Sequence, residues 1–117
     1  VQRALETDGP TFLNVLAPCH RGWRIKVEES MEMARLAVET CFFPLFEVDH
    51  GVWKINYKPK EKKPLVDWLK PQGRFAHLFR PGADAVIAEL QAEVDRKWQE
   101  LLDREAASKA KAAAQAS

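Results

Sequence analysis

Residues 11–17, Thr-Phe-Leu-Asn-Val-Leu-Ala, are apolar almost throughout and rich in strand formers. That pattern predicts a strand buried on both faces, as in a parallel sheet covered by helices. Pro10 before it sets an extended path, and residues 1–8 read as the tail of a helix that stops at Gly9. Pro18 closes the strand. Residues 18–24, Pro-Cys-His-Arg-Gly-Trp-Arg, then form a loop beyond its C-terminal end, the edge where open α/β sheets bind ligands.

Helical periodicity follows over about residues 27–41, with Val27, Met31, Ala34, Val38 and Cys41 on one face. Glu28, Glu29 and Glu32 lie in its first turns, where negative charge suits the helix dipole. Pro44 ends the pattern. Residues 45–48 and 52–57 alternate as strands do, and Asp49-His50-Gly51 between them predicts a hairpin turn. Lys58 to Lys63 read as a solvated linker, residues 64–70 as a short helix presenting Leu65, Trp68 and Leu69, and residues 72–75 as a turn. A last helix is predicted over 83–107, with Ile87, Leu90, Val94, Trp98 and Leu101 as its apolar stripe and Glu93–Lys97 and Glu100–Arg104 as i,i+4 pairs. It follows a linker and a Gly/Pro-rich turn, so its stripe is expected to face a partner subunit. Residues 108–117, Ala-rich and polar, are expected to be a disordered tail.

The 117 residues amount to one domain, and 46% hydrophobic with 30% charged residues suit a soluble core-forming chain. A net charge of +1 gives no electrostatic reason for nucleic acid or an anionic membrane as partner. No run approaches the roughly 20 apolar residues that span a bilayer. Two cysteines are too few for a disulfide framework, which makes a reducing cytoplasm the expected setting. The chain has no signal-peptide pattern and opens inside an amphipathic one, so it is expected to start partway through something larger.

Residue spacing alone yields no function. Cys19 and Cys41 are too far apart for a paired-Cys metal motif, and no Gly-rich phosphate loop is present. His20, His50 and His77 fall in three different segments. A Cys19–His20 nucleophile has no orienting carboxylate in sight, and an isolated Cys is by default a small core hydrophobe.

Several segments nevertheless resemble the β subunits of pyruvate:ferredoxin oxidoreductases, members of the 2-oxoacid:ferredoxin oxidoreductase family. They are Gly9-Pro10-Thr11-Phe12, residues 16–24 (Leu-Ala-Pro-Cys-His-Arg-Gly-Trp-Arg), residues 35–40 leading to Phe43-Pro44-Leu45-Phe46-Glu47-Val48, residues 51–56 and residues 72–78. They occur in order over about residues 1–80. The resemblance implies an α/β fold in which residues 1–57 are the C-terminal part of a thiamine-diphosphate-binding domain (its last core strand and helix, then a strand hairpin). Residues 58–82 would be a linker and short helix, and residues 83–107 a helical arm.

The function implied is oxidative decarboxylation of pyruvate with coenzyme A, with electrons passed through [4Fe-4S] clusters to ferredoxin. The segment that holds thiamine diphosphate and Mg²⁺ and three of the cluster cysteines are expected outside these residues. The fourth ligand sits in an Ala-Pro-Cys loop, matched here by Cys19, and a cluster does take thiolates from distant parts of a chain. Cys41 falls where the family commonly has Gly, so no cluster role is carried over to it. Arg21, Trp23 and Arg24 are candidates for tuning the cluster, packing or meeting another subunit, and residues 72–75 are expected to pack or contact a subunit. The 117 residues alone are expected to be inactive. The neighbouring readings are a branched-chain 2-oxoacid enzyme and a non-catalytic assembly arm.

Overall fold

The computed structural model describes residues 1–116. Its one sheet among these residues is the predicted hairpin, β1 (Phe46–Asp49) and β2 (Val52–Ile55), antiparallel with Phe46 opposite Ile55 and Asp49 opposite Val52. His50 and Gly51 both take positive φ, 48° and 82°. Two left-handed central residues make the turn whose twist matches that of the strands it joins. Phe46 stacks diagonally on Trp53 at 5.6 Å across one face.

Before the hairpin come three helices: α1 (Gln2–Glu6), α2 (His20–Trp23) and α3 (Ser30–Glu39). After it come α4 (Leu65–Leu69), a 3-10 segment over Gly73–Phe79, and α5 (Asp84–Ala116). At 1.5 Å per residue α5 is about 50 Å long. It accounts for the 57 Å long axis of a molecule whose radius of gyration, 17.2 Å, exceeds the roughly 13 Å of a compact domain near this size.

The core gathers around Trp68 of α4. Its ring meets Trp23 edge-on at 5.6 Å, stacks on Phe42 at 4.1 Å and lies 5.9 Å from Phe75, while its indole N–H donates to the carbonyl of Met33 at 3.2 Å. Leu65, Trp68 and Leu69 are all buried, as their spacing predicts.

Four expectations need correction. Residues 11–17 form no strand: Phe12 and Val15 are exposed, at 88% and 79%. A strand needs a neighbouring edge to pair with, and among the described residues this segment pairs with none. The sheet among the described residues is antiparallel and two-stranded, so the fold they form is mixed α/β. Of the helix predicted from residue 27, Val27–Glu29 form a 3-10 turn and α3 starts at Ser30; its buried face is Met33, Leu36 and Ala37, whereas Val27 and Met31 of the predicted stripe are exposed. The helix is apolar on two faces, and Trp68 covers the other one.

The stripe of α5 packs on the chain's own β2 and α4 instead of facing outward. Val94 and Leu101 are buried, and Ile87 and Trp98 pack against the core. Finally, α5 runs on to Ala116 through residues expected to be disordered from 108. Alanine is the strongest helix former, and Ser108 is buried and bonded to the hairpin. Ser117, also in that expected tail, lies outside the described residues.

The outer edge of β2 is satisfied by α5 side chains. Trp53 donates its N–H to Ser108 Oγ at 2.9 Å, and Ile55 donates to Glu105 Oε1 at 2.9 Å. The segment from Lys58 to Lys63 is likewise held down, because Lys58 pairs with Glu105, Lys62 with Asp95 and Lys63 with Glu39. Among the described residues no helix is long and apolar enough to cross a membrane.

Candidate functional site

Cys19 follows Pro18 and occupies the N-cap of the single-turn helix α2. The N-cap role suits a short polar side chain that can accept a backbone N–H. Here the acceptor is sulfur: Gly22 N–H donates to Cys19 Sγ at 3.4 Å. The thiol is exposed. His20, Arg21 and Arg24 share the loop, so the sulfur sits in a locally basic stretch.

The loop closes tightly on itself. Trp23 N–H donates to the Cys19 carbonyl at 2.8 Å, and Ile25 N–H to that of His20 at 3.0 Å. Arg24 takes the left-handed conformation with φ 54° and ψ 55°. Such a conformation is uncommon outside Gly, Asn and Asp, and it turns the chain so that Trp23 enters the core at 7% exposure. Trp23 therefore packs, while Arg21 and Arg24 lie on the exposed side of the loop.

Among the described residues no group of three or more His, Cys, Asp or Glu gathers. Cys19 thus presents one exposed thiol with an N–H donor to its sulfur. That donor set fits one corner of a cluster whose remaining ligands come from elsewhere, and it does not fit a metal centre complete within these residues.

Cys41 is the opposite case. It is 4% exposed, packs in the core beside α3, and burial pushes its thiol pKa up. Its φ of 60° is the left-handed geometry that glycine adopts most easily just past a helix. This agrees with reading it as a packed helix-end residue.

A second concavity of about 690 Å³ lies between the hairpin, α4 and α5, lined chiefly by Phe42, Trp53, Trp68, Leu90 and Trp98. The charged groups at its rim are paired with one another, Lys97 with Glu93 and Arg104 with Glu100. No residue of the Cys19 loop lines it, and the one thiol on its wall, Cys41, is buried.

Residue spacing missed the segment that holds the loop. Gly73 N–H donates to the Arg24 carbonyl at 3.1 Å, and the Arg74 guanidinium lies 4.4 Å over the Trp23 ring. The one available signal was Gly-Arg placed after an aromatic helix, which does not name its target.

No family model matches the chain. Among curated proteins it is similar to pyruvate synthase subunit PorB of Thermotoga maritima, with 46% identity over 112 residues, 95% of this chain and 35% of that protein. It is similar to the PorB of Methanocaldococcus jannaschii, with 43% identity over 97 residues, 83% of this chain and 31% of that protein. Ketoisovalerate oxidoreductase subunit VorB of Pyrococcus horikoshii is 42% identical over 103 residues, 86% of this chain and 32% of that protein. The chain spans about a third of the length of the curated relatives it matches.

Proposed function

Over the stretch that it shares with them, this chain belongs to the family of 2-oxoacid oxidoreductase subunits that includes PorB and VorB, and from that premise we propose that it is the C-terminal portion of the β subunit of a pyruvate:ferredoxin oxidoreductase. In that reading Cys19 supplies one thiolate to a [4Fe-4S] cluster, in a complex that converts pyruvate and coenzyme A to acetyl-CoA and carbon dioxide. The observation that carries it is the exposed Cys19 thiol, bonded from Gly22 N–H, in a segment resembling the family's Ala-Pro-Cys loop.

When bound, thiamine diphosphate with Mg²⁺ and the cluster supply carbanion stabilisation and one-electron transfer. The residues of this chain hold and orient one ligand. The N–H···S bond from Gly22 stabilises negative charge on the sulfur, and such bonds are among the determinants of a cluster's potential.

The unpaired apolar segment 11–17 supports the larger architecture. With Phe12 and Val15 exposed, and Val27 and Met31 exposed in the turn before α3 and at its start, these residues suit a place in a thiamine-diphosphate-binding α/β domain. The segment would become its last core strand, with residues 58–82 as the connection and α5 as the arm beyond. Other subunits of the complex and ferredoxin are its partners, and the reducing cytoplasm keeps both thiols free. The lysines at 58, 62 and 63 are paired to the chain's own acids, which leaves them poorly placed to dock an acidic electron carrier.

Identities to PorB, from 38% to 46%, overlap the 41% to 42% to VorB, so the choice of pyruvate over a branched-chain 2-oxoacid rests on the resemblance of Gly22-Trp23-Arg24 and Pro44-Leu45-Phe46-Glu47 to pyruvate-type subunits. The test is turnover by the complete complex with pyruvate and with 3-methyl-2-oxobutanoate, each with coenzyme A and ferredoxin. A higher kcat/KM for pyruvate is expected, and a preference for the branched substrate would reassign the enzyme. Cys19→Ser in the same complex should lower iron per β subunit, and an unchanged iron count would remove Cys19 from the ligand set.

A further inference from the structure

A one-turn helix holds little stability of its own, since nucleation is costly and only later turns repay it. The loop at residues 19–24 therefore owes its shape to what grips it from outside. Trp68 meets the Trp23 ring edge-on from the core, and the remaining grip comes from a short stretch more than forty-five residues away in sequence, at the start of the 3-10 segment.

Gly73 touches backbone to backbone. Its N–H donates to the Arg24 carbonyl at 3.1 Å, and a Cβ at position 73 would lie 2.8 Å from Arg24 Cβ and 3.1 Å from Arg24 O. Real Cβ atoms do not sit that close, so any side chain at 73 pushes the loop away. Arg74 grips the other side of the turn. Its guanidinium lies 4.4 Å over Trp23 and 4.6 Å from Phe75, both within cation–π range.

Arg74 is itself aimed. Its Nε–H donates to Gln72 Oε1 at 2.8 Å, and the Gln72 side chain, fully buried, donates from Nε2 to the Trp68 carbonyl. The grip thus runs from the centre of the core to the loop. From Trp23 it continues to Cys19 through the Trp23 N–H bond to the Cys19 carbonyl, and Gly22 in the same turn donates to the sulfur.

We infer that Gly73 and Arg74 are positioning residues for the Cys19 thiolate, fixing the α2 turn so that Gly22 N–H addresses the sulfur. The inference rests on the reading of Cys19 as a cluster ligand, and it gives the 72–75 segment a task that packing alone does not describe. Arg74 works through a planar group stacked on a ring, which the point charge of a lysine does not reproduce.

The test uses the complete complex carrying Gly73→Ala, Arg74→Lys, Cys19→Ser or, as a core control away from the loop, Leu101→Ala. Three quantities are read: iron loss to a chelator under anaerobic conditions, the cluster midpoint potential by redox-titrated paramagnetic resonance, and amide exchange across residues 20–25. Gly73→Ala and Arg74→Lys should speed exchange in the loop, shift the potential and lose iron roughly tenfold faster, the usual scale for outer-shell changes. Leu101→Ala should lower the melting temperature while leaving loop exchange and potential unmoved.

If Gly73→Ala does not assemble, Arg74→Lys decides the question, since it keeps the charge and adds no clash. Loss of iron in Cys19→Ser together with wild-type potential and iron retention in Arg74→Lys would overturn the positioning role and leave the ligand reading intact. Full iron in Cys19→Ser would overturn the ligand reading itself, and the positioning role with it.

Discussion

The carboxylate of Glu105 takes the backbone N–H of Ile55 at 2.9 Å, so a helix side chain stands where a third strand would otherwise hydrogen-bond. Three residues further along α5, Ser108 does the same for Trp53. Lys58 and Lys109 neutralise the buried carboxylate. An antiparallel pair alone is marginal in water, and this cap closes one of its two outer edges, that of β2.

Replacing Glu105 by Ala should therefore destabilise the protein by about 1.5–3 kcal/mol, the range for hydrogen bonds to a charged group. Ser108→Ala should cost less, about 0.5–1.5 kcal/mol, because both partners are neutral. Urea unfolding of each variant checks the order, and equal losses would contradict the charge-assisted role of Glu105.

The same carboxylate makes stability depend on acid. The Lys58 ammonium and the Ile55 N–H, followed by Lys109, hold its pKa at about 2, below the ordinary 4.5. A folded pKa below the unfolded one means that its contribution is fully present above about 4.5 and is lost as pH falls towards 2. Comparing wild type with Glu105→Gln across that window should show the wild-type advantage shrinking on acidification. A difference that stays flat would mean the carboxylate is not held in this way.

The two thiols of this chain should separate cleanly. Cys19 is exposed, whereas Cys41 is 4% exposed with its pKa raised by burial. Thiolate is the reactive form, so an aromatic disulfide reagent should titrate one thiol promptly and the second only on unfolding. Two fast equivalents would place Cys41 at the surface.

Within the α5 stripe, Leu101 at 6% exposure and Leu90 at 36% should differ in cost. Leu101→Ala should destabilise by about 2–5 kcal/mol, and Leu90→Ala by less than that range. Thermal or urea unfolding separates them, and a larger loss at Leu90 would reverse the packing described.

Much of this was readable where local chemistry decides the outcome. The hairpin follows from Asp49-His50-Gly51 between alternating runs, and α4 from a proline start followed by Leu65, Trp68 and Leu69. The α3 face was not, because Val27 and Met31 mark one apolar side and Met33 and Leu36 another, and only the position of Trp68 selects between them. The segment 11–17 reads as a strand because its composition answers to a sheet that these residues do not supply.

Glu105 and Ser108 escaped notice for a related reason. They continue the stripe of Val94, Trp98 and Leu101 at the right spacing, but as polar residues they do not register in an apolar pattern. Of the proposed site, Cys19 stood out only through the resemblance of its Ala-Pro-Cys setting. The grip of Gly73 and Arg74 on its loop joins segments remote in sequence, and only the fold brings them together.

The cap on β2 also has a cost in time. Its donors and acceptors are 50 and 55 residues apart, so on a translating ribosome the hairpin exists well before the end of α5 does. At about 5–20 residues per second that interval is roughly 3–10 seconds, while a hairpin forms in microseconds. Throughout it the nascent chain shows an open strand edge as well as the exposed Phe12 and Val15, two features that invite a second strand from another molecule. Newly made chains of this protein should thus be most dependent on chaperones in the seconds before the last turns of α5 emerge.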